Sequence, residues 1–182
     1  MVDRAGRRGG FTCWPRVFLL LAMFGPALAS CSADRDPNLF CPRLIIVNEA
    51  DTLSRFRGEG RDLTDVVYQA AIGAQISECD FDEELLEVPM LVSLRVAPGP
   101  ADVDRRAAFT YFVAIADADR RILARREFDV QIALPDNQAQ VETVDEIIQK
   151  IPLTPGQTGL EYFIFVGLAL TPEELEYNRK NQ

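Results

Sequence analysis

The chain has 182 residues, a net charge of −9 and an apolar content of 48%. This length fits one domain, and the apolar share is sufficient for a core. The acidic balance argues against a nucleic-acid partner and against electrostatic adhesion to anionic lipid. Because the chain has no histidine, Ser-His and Cys-His catalytic pairs and the usual metal triads are excluded.

The first 31 residues have the layout of a secretory signal. Four arginines come first, and an apolar run over residues 17–29 follows, interrupted by Gly25-Pro26. A membrane-spanning helix needs about 20 apolar residues, so this run is too short and too broken to favour one. Small residues lead into Cys31, as they do at a signal-peptide cleavage site.

The residues Leu28-Ala29-Ser30-Cys31 resemble the lipobox of bacterial lipoproteins. In that family the cysteine thiol receives a diacylglycerol, the peptide is cut just before it, and the new amino group is acylated. The resemblance therefore implies a lipid anchor on Cys31, which would hold the chain stably at a membrane. In Gram-negative members an Asp at the next position favours the inner membrane, so Ser32 implies the outer membrane. A spanning helix and a signal peptide without lipid are the alternatives.

Loss of residues 1–30 changes both the charge and the cysteine count. That segment carries four Arg and one Asp, so the net charge falls from −9 to −12 without it. Cys13 leaves with the segment and Cys31 carries the lipid, which leaves Cys41 and Cys79. In an oxidising periplasm these two are predicted to form a structural disulfide.

The mature chain shows strand patterns. Residues 32–40 are polar and form a predicted tether, and residues 44–47 form a β-branched run without helical period, which predicts a buried strand. Residues 48–64 are rich in turn formers and predict an irregular connection. Residues 66–76 alternate with period two over eleven positions and give the clearest strand.

Further alternating patterns continue toward the C terminus. Residues 88–97 predict a strand, and residues 109–115 and 122–134 predict a long hairpin. Residues 141–151 fit a helical face better than a strict strand, but their neighbours and Pro152 favour a strand in the second half. Residues 160–170 predict the last strand.

The sequence Thr171-Pro172-Glu173-Glu174 follows this strand and has the form of a capping box. It predicts a short helix that runs to about Arg179.

These patterns predict an all-β fold, an antiparallel immunoglobulin-like sandwich of about seven strands with one disulfide and a short C-terminal helix. The run from Leu153 to Val166 resembles the late-strand signature of fibronectin type III domains. That resemblance implies that Leu153 and Tyr162 pack in the core and that the Tyr162 hydroxyl returns to the backbone. The predicted boundaries are 1–30 for the signal peptide, 31–40 for the tether, 41–170 for the sandwich and 171–182 for the helix and tail.

Three segments, CPRLIIVNEA, GRDLTDVVYQA and VGLALTPEELEYNR, resemble uncharacterised lipoproteins of Gram-negative bacteria. That family brings no known activity. The sequence therefore favours a non-enzymatic, lipid-anchored envelope lipoprotein that binds another envelope protein or supports an assembly, with no cofactor and no nucleic acid. A ligand- or calcium-binding module and an enzyme of unfamiliar type are the alternatives.

Candidate site residues fall in two places. The first candidate for a partner surface is an exposed loop, held by the disulfide and containing Arg61, Asp62, Thr64 and Asp65. Alternatively, the two aspartates cap turn amides and pair with Arg61.

The second place is the acidic run over residues 80–87. Asp80 and Asp82 are weak calcium candidates, and an EF-hand is excluded because Leu85 and Leu91 stand where Gly and Glu are needed. A solvated loop beside the disulfide is the alternative.

Six arginines flank the predicted hairpin and split between its two ends: Arg105, Arg106, Arg120, Arg121, Arg125 and Arg126. They indicate either cross-strand pairing with nearby carboxylates or a site for an anionic partner.

Overall fold

A computed structural model describes residues 40–81 and 84–181 of the chain. The predicted signal peptide, the lipidation site Cys31, most of the tether and Asp82 lie outside these residues. The described part contains nine strands and one α-helix, with these bounds: β1 Arg43–Ile46, β2 Thr52–Phe56, β3 Val66–Ile76, β4 Asp80–Phe81, β5 Leu85–Pro98, β6 Arg106–Ala116, β7 Ile122–Ala133, β8 Val141–Pro152, β9 Phe163–Leu168 and α1 Pro172–Asn181.

The strands form two sheets. The first sheet has the order β1-β9-β6-β7, with β1 parallel to β9 and the other neighbours antiparallel. In the second sheet β2, β3, β5 and β8 follow one another in antiparallel order. Leu86 and Glu87 of β5 pair with β4 on one side and β8 on the other. The short strand β4 therefore continues the line of β3.

The inward residues of both sheets share one core, as period-two alternation requires. Its members with almost no solvent exposure include Leu53, Leu86, Val88, Met90, Val92, Leu94, Val96, Tyr111, Val113, Ile164, Val166 and Leu168. Two hydroxyls bridge the sheets: Tyr68 Oη donates to the Ala108 carbonyl at 2.6 Å, and Tyr111 Oη donates to Asp145 Oδ2 at 2.9 Å. The fold is sandwich-like and all-β, as the sequence predicts.

The strand order differs from the immunoglobulin order. There the last two strands, F and G, are neighbours in one sheet, whereas here β8 belongs to the second sheet and β9 to the first. The local signature does behave as the resemblance implies, since Leu153 and Tyr162 are buried. The Tyr162 hydroxyl lies 3.5 Å from the Pro152 carbonyl and 3.2 Å from Gln157 Oε1. The finer class remains a prediction.

The disulfide between Cys41 and Cys79 is confirmed, with a Cα–Cα distance of 5.7 Å and a sequence separation of 38. It joins the segment that follows β3 to the residues just before β1. Two elements that are far apart in sequence and belong to different sheets are thereby tied at one end of the fold.

The prediction of an irregular connection over residues 48–64 is wrong in its first half, which contains β2. This strand pairs with β3, from Thr52 opposite Ala71 to Phe56 opposite Val66. Only Leu53 is fully buried, and polar residues fill most of the remaining positions. A five-residue strand with one core residue leaves no period-two signal.

Two other predicted boundaries differ from those of the structure. Residues 141–151 are strand over their whole length, not only in the second half. The last strand begins at Phe163, because residues 159–161 form a 3-10 turn that leaves Leu160 61% exposed.

The capping box at Thr171 is confirmed. The Glu174 amide donates to Thr171 Oγ1 at 3.2 Å, and the Thr171 amide donates to Glu174 Oε2 at 2.9 Å. The helix runs two residues further than predicted, to Asn181.

Candidate functional site

The loop between β2 and β3 contains the four candidate partner residues, and it is a compact turn. Arg61 donates to the Gly60 carbonyl at 2.7 Å, and its guanidinium carbon lies 5.1 Å from the centre of the Phe56 ring. Asp65 Oδ2 accepts from the Asp62 amide at 3.3 Å. The aspartates therefore cap the turn, as the alternative interpretation predicted, but Arg61 bonds carbonyls and stacks on a ring.

The turn leaves its apolar tip in solvent. Residues 63–65 form a 3-10 turn, and the Leu63 side chain is 78% exposed. A Cβ at Gly60 would overlap the Asp65 carboxylate, so glycine is needed for this close approach. Thr64 is also exposed. The loop thus holds an exposed leucine on a locally braced backbone.

Helix α1 packs beside this loop. The Tyr177 ring meets the Phe56 ring edge-on at 5.0 Å, and Arg55 pairs with Glu174 at 3.0 Å. The buried Asn178 side chain donates to the carbonyls of Glu49 at 2.6 Å and Thr52 at 2.8 Å. A buried amide with both donors satisfied fixes the helix against β2. We call the loop 57–65 together with α1 the loop–helix surface.

Two adjoining concavities mark the loop–helix surface. One, of about 200 Å³, lies between Arg61, Phe56 and the start of α1. The other, of about 430 Å³, has a floor of small residues on β3 and β5 and polar walls that include Arg95, Gln140 and Asn181. Ser54 and Tyr177 line both of them. Sequence patterns did not reveal these hollows, because they form between elements distant in the chain.

The prediction that the disulfide holds this loop is wrong. The loop precedes Val66 at the start of β3, while Cys79 follows Ile76 at its end. A strand of eleven residues separates the two by about 33 Å. The loop–helix surface and the disulfide are therefore at opposite ends of the sandwich.

A second surface covers the outer side of the first sheet. Arg43 and Arg120 each lie 5.6 Å from the centre of the Phe163 ring, and Arg125 lies 3.9 Å from that of Phe112. Phe163 stacks with its neighbour Phe165 at 6.2 Å. We call these six residues the arginine–phenylalanine face.

Strand β6 carries a sequence pattern that indicates this face, namely apolar residues on both of its sides. In β6 the inward residues alternate with Phe112, Ala114 and Ala116, which are also buried. An antiparallel strand with a solvated outer side would carry polar residues there. Apolar residues on both sides of β6, and Phe163 and Phe165 in β9, therefore indicate a second apolar face.

The hairpin arginines divide as predicted, with Arg106 paired to Ala133 at one end of the hairpin and Arg120 and Arg121 at the turn. Arg121 pairs with Asp117 at 2.8 Å, and Arg125 pairs with Glu127 at 2.8 Å. Pairing with nearby carboxylates thus explains part of the cluster, but these two pairs lie within the turn and along β7 and not across the strands as predicted. Arg120 has no carboxylate partner among residues 40–81 and 84–181.

The acidic run is partly strand. Asp80 belongs to β4, pairs in register with Glu87 and is exposed. In the described part of the chain no three His, Cys, Asp or Glu side chains come together as a metal site. The same residues contain no helix long and apolar enough to cross a membrane.

Among the described residues, the pair of the buried Tyr111 and the exposed Asp145 is the site with the most altered acid–base behaviour. Burial is the main cause that raises the pKa of Tyr111 well above its usual value of 10.0, and the hydrogen bond to Asp145 and its charge add to this. A phenol in this state holds its proton firmly and is a poor acid. The pair is suited to joining the sheets rather than to proton transfer.

No protein-family model matches the chain, and no curated protein sequence does. A solved structure described as "X-ray structure of Northeast Structural Genomics Consortium target SoR45" is similar over 58% of this chain and 88% of that chain. The identity is 12% and the TM-score 0.27, so this similarity supports no argument about fold or function.

Proposed function

We propose that the protein is a non-enzymatic envelope lipoprotein, anchored by lipid on Cys31 in the periplasmic leaflet of the outer membrane, whose loop–helix surface binds another envelope protein. The basic start, the short apolar run and the sequence Leu28-Ala29-Ser30-Cys31 support the anchor. The disulfide between Cys41 and Cys79 is in keeping with an oxidising compartment.

The observation that carries the binding role is the position of the loop–helix surface. The chain enters the described fold at Phe40, next to the disulfide, and the surface lies at the opposite end of β3, about 33 Å away. A domain tethered at its entry end would present this surface to the periplasm, where a second envelope protein is accessible.

The chemistry of the surface suits a protein partner. Leu63 is exposed on a braced turn, and Tyr177, Phe56 and Arg61 lie beside it. Tyrosine and arginine next to shallow hollows are typical of residues that dominate protein–protein binding energy. The rim is polar and includes amide groups that are able to donate and accept.

We also keep the immunoglobulin-like assignment as part of this proposal. The tyrosine contact to the Pro152 carbonyl supports it, and the separation of β8 and β9 into different sheets opposes it.

Site-specific photo-crosslinking in intact cells tests the binding role. A photoreactive residue at Leu63 is expected to give a discrete adduct with one envelope protein, because this side chain is the exposed apolar residue of the surface, at 78% exposure. The matched control is Leu160, which is 61% exposed but lies at the entry end. Equal adducts from both positions, or none from Leu63 in a protein that retains its unfolding transition, would contradict the proposal.

A further inference from the structure

We propose that the arginine–phenylalanine face lies against an anionic phospholipid bilayer when the domain is anchored. The inference extends the proposed function, since it takes the lipid on Cys31 as given and adds which side of the domain meets the membrane. Four observations lead to it: the place where the chain enters, the unpaired arginines, the exposed apolar side chains and the distribution of acidic groups.

The chain enters the fold beside this face. Phe40 lies so close to Gly159 that a Cβ on the glycine would overlap the Phe40 carbonyl. Three residues later, Arg43 pairs in register with Phe163. At full extension the residues from Cys31 to Phe40 span about 30 Å. An anchor on Cys31 therefore keeps this end of the domain close to the bilayer.

Two arginines of the face have free charge. Among residues 40–81 and 84–181, neither Arg43 nor Arg120 has a carboxylate partner, and both lie over the Phe163 ring. Their neighbour Arg121, by contrast, is held by Asp117 and Asp119 at 2.8 and 3.3 Å. A guanidinium on an aromatic ring still presents its N–H fork, which matches a phosphate group.

Exposed apolar side chains lie at the same end. Ile122 and Leu123 are 56% and 57% exposed, and Leu160 is 61% exposed. Ile122 pairs in register with Ala116, which in turn pairs with Phe163, so this residue continues the row that begins at Arg43. Single exposed apolar residues are ordinary, but apolar groups combined with arginines are typical of surfaces that rest in a membrane interface.

The positions of the acidic groups limit how the domain can lie on the bilayer. On the same side of β7, Glu127 and Asp129 lie further toward the opposite end. The second sheet carries Asp80 and Glu87 at the entry end. Within the face, Glu127 lies opposite Phe112 in register and pairs with Arg125 at 2.8 Å, so its charge is balanced there. Contact through the part of the face nearest the chain entry, with Arg43, Arg120 and Phe163, keeps Asp80 and Glu87 of the second sheet away from the lipid, whereas an end-on approach brings them to the lipid phosphates.

A single tryptophan reports the contact. The chain's one tryptophan is Trp14, which leaves with the signal peptide, so Leu123→Trp gives the mature lipidated protein a unique fluorophore. In vesicles of phosphatidylglycerol with brominated acyl chains, we expect its emission to shift to the blue and to be quenched. Leu63→Trp, in the loop between β2 and β3 of the second sheet and so away from the face, is the matched control and should show neither change.

The charge contribution is tested in the Leu123→Trp protein. Arg43→Gln and Arg120→Gln are each expected to lower the ratio of contacting to free domains about fivefold in anionic vesicles. Arg57→Gln removes the same single charge from the loop–helix surface and should leave the quenching unchanged. Equal quenching in phosphatidylcholine and phosphatidylglycerol vesicles would overturn the assignment to anionic lipid.

Other outcomes separate this inference from the proposed function. Intact mass of the same sample shows whether Cys31 carries lipid. If Cys31 carries lipid and the Leu123→Trp protein is no more quenched than the Leu63→Trp protein, the proposed membrane contact is wrong and the proposed anchor stands. If Cys31 carries no lipid, the proposed anchor is wrong. A blue shift that grows with protein concentration without vesicles would assign the face to a second copy and overturn the lipid assignment.

Discussion

At the scale of single residues, Tyr111 links acid–base chemistry to stability. Its pKa is raised in the folded protein, chiefly by burial and then by Asp145. A raised folded pKa gives stability that is complete below the unfolded value near 10 and is lost as pH rises above it. We therefore expect the free energy of unfolding to fall above pH 10 by up to about 1.4 kcal/mol per pH unit, as measured by urea unfolding.

Two variants separate the causes. Tyr111→Phe should abolish this alkaline loss, and at pH 7 it should cost about 1–2 kcal/mol because one hydrogen bond to a charged group is removed. Asp145→Asn keeps the burial, which is the larger cause, and should retain part of the loss. An unchanged alkaline profile in Tyr111→Phe would show that another group governs it.

At the same scale, burial of side chains was easier to predict from the sequence than their contacts were. Period two correctly indicated Met90, Val92 and Leu94 as inward, because alternation follows directly from strand geometry. It did not indicate that Arg61 stacks on Phe56, since both aspartates beside it offered an equally good charge partner. The spacing of residues along the chain does not determine which of several neighbours an arginine contacts.

At the scale of elements, the disulfide determines how firmly the entry end is held. Cys41 and Cys79 enclose a separation of 38 residues, for which the chain-entropy model gives about 4 kcal/mol. Cys41→Ala with Cys79→Ala should lower the free energy of unfolding by about this amount, measured by urea unfolding. Adding reductant to the wild type should match the variant, and a loss below about 1 kcal/mol would show that the sheets hold this end without the bond.

Elements with a strong period were predicted to within a few residues, and weak ones were not. Strand β3 matches its predicted bounds because eleven alternating residues are enough to define it. Strand β2 was missed because its pairing partner, not its own composition, makes it a strand. The 3-10 turn at residues 159–161 was read as strand for a related reason: Leu160 continues the alternation in sequence although its side chain is exposed.

At the scale of the whole molecule, the number of sheets could be predicted but their strand order could not. Alternation says that each strand has one buried side, and two such layers make a sandwich. The pairing of β5 with β8 and of β6 with β9 depends on contacts across 50 or so residues, for which the sequence carries no local signal. The two surfaces depend on such long-range pairing, so the sequence predicted only their local parts, namely the loop and the hairpin arginines Arg120 and Arg125.

The proposed anchor also belongs to this scale, because it would determine which surfaces are free. Cys31→Ser removes the thiol that would carry the lipid, so the protein should move from the membrane fraction to the soluble fraction. The face with Arg43 and Arg120 would then hold the domain only weakly, and salt screens such contacts over about 10 Å at 0.1 M. A salt wash should therefore complete the release.

The matched control is Cys41→Ser with Cys79→Ser, which keeps Cys31 and should stay in the membrane fraction through the same wash. Binding of Cys31→Ser that salt removes would come from the arginine–phenylalanine face and leaves the anchor standing. Binding that resists salt in a Cys31→Ser chain that has lost residues 1–30 would contradict the lipoprotein assignment, because neither the lipid nor the apolar run over residues 17–29 is then present to hold it. Fractionation of the two variants side by side, with the intact mass of each, thus decides between the lipid and the apolar run itself.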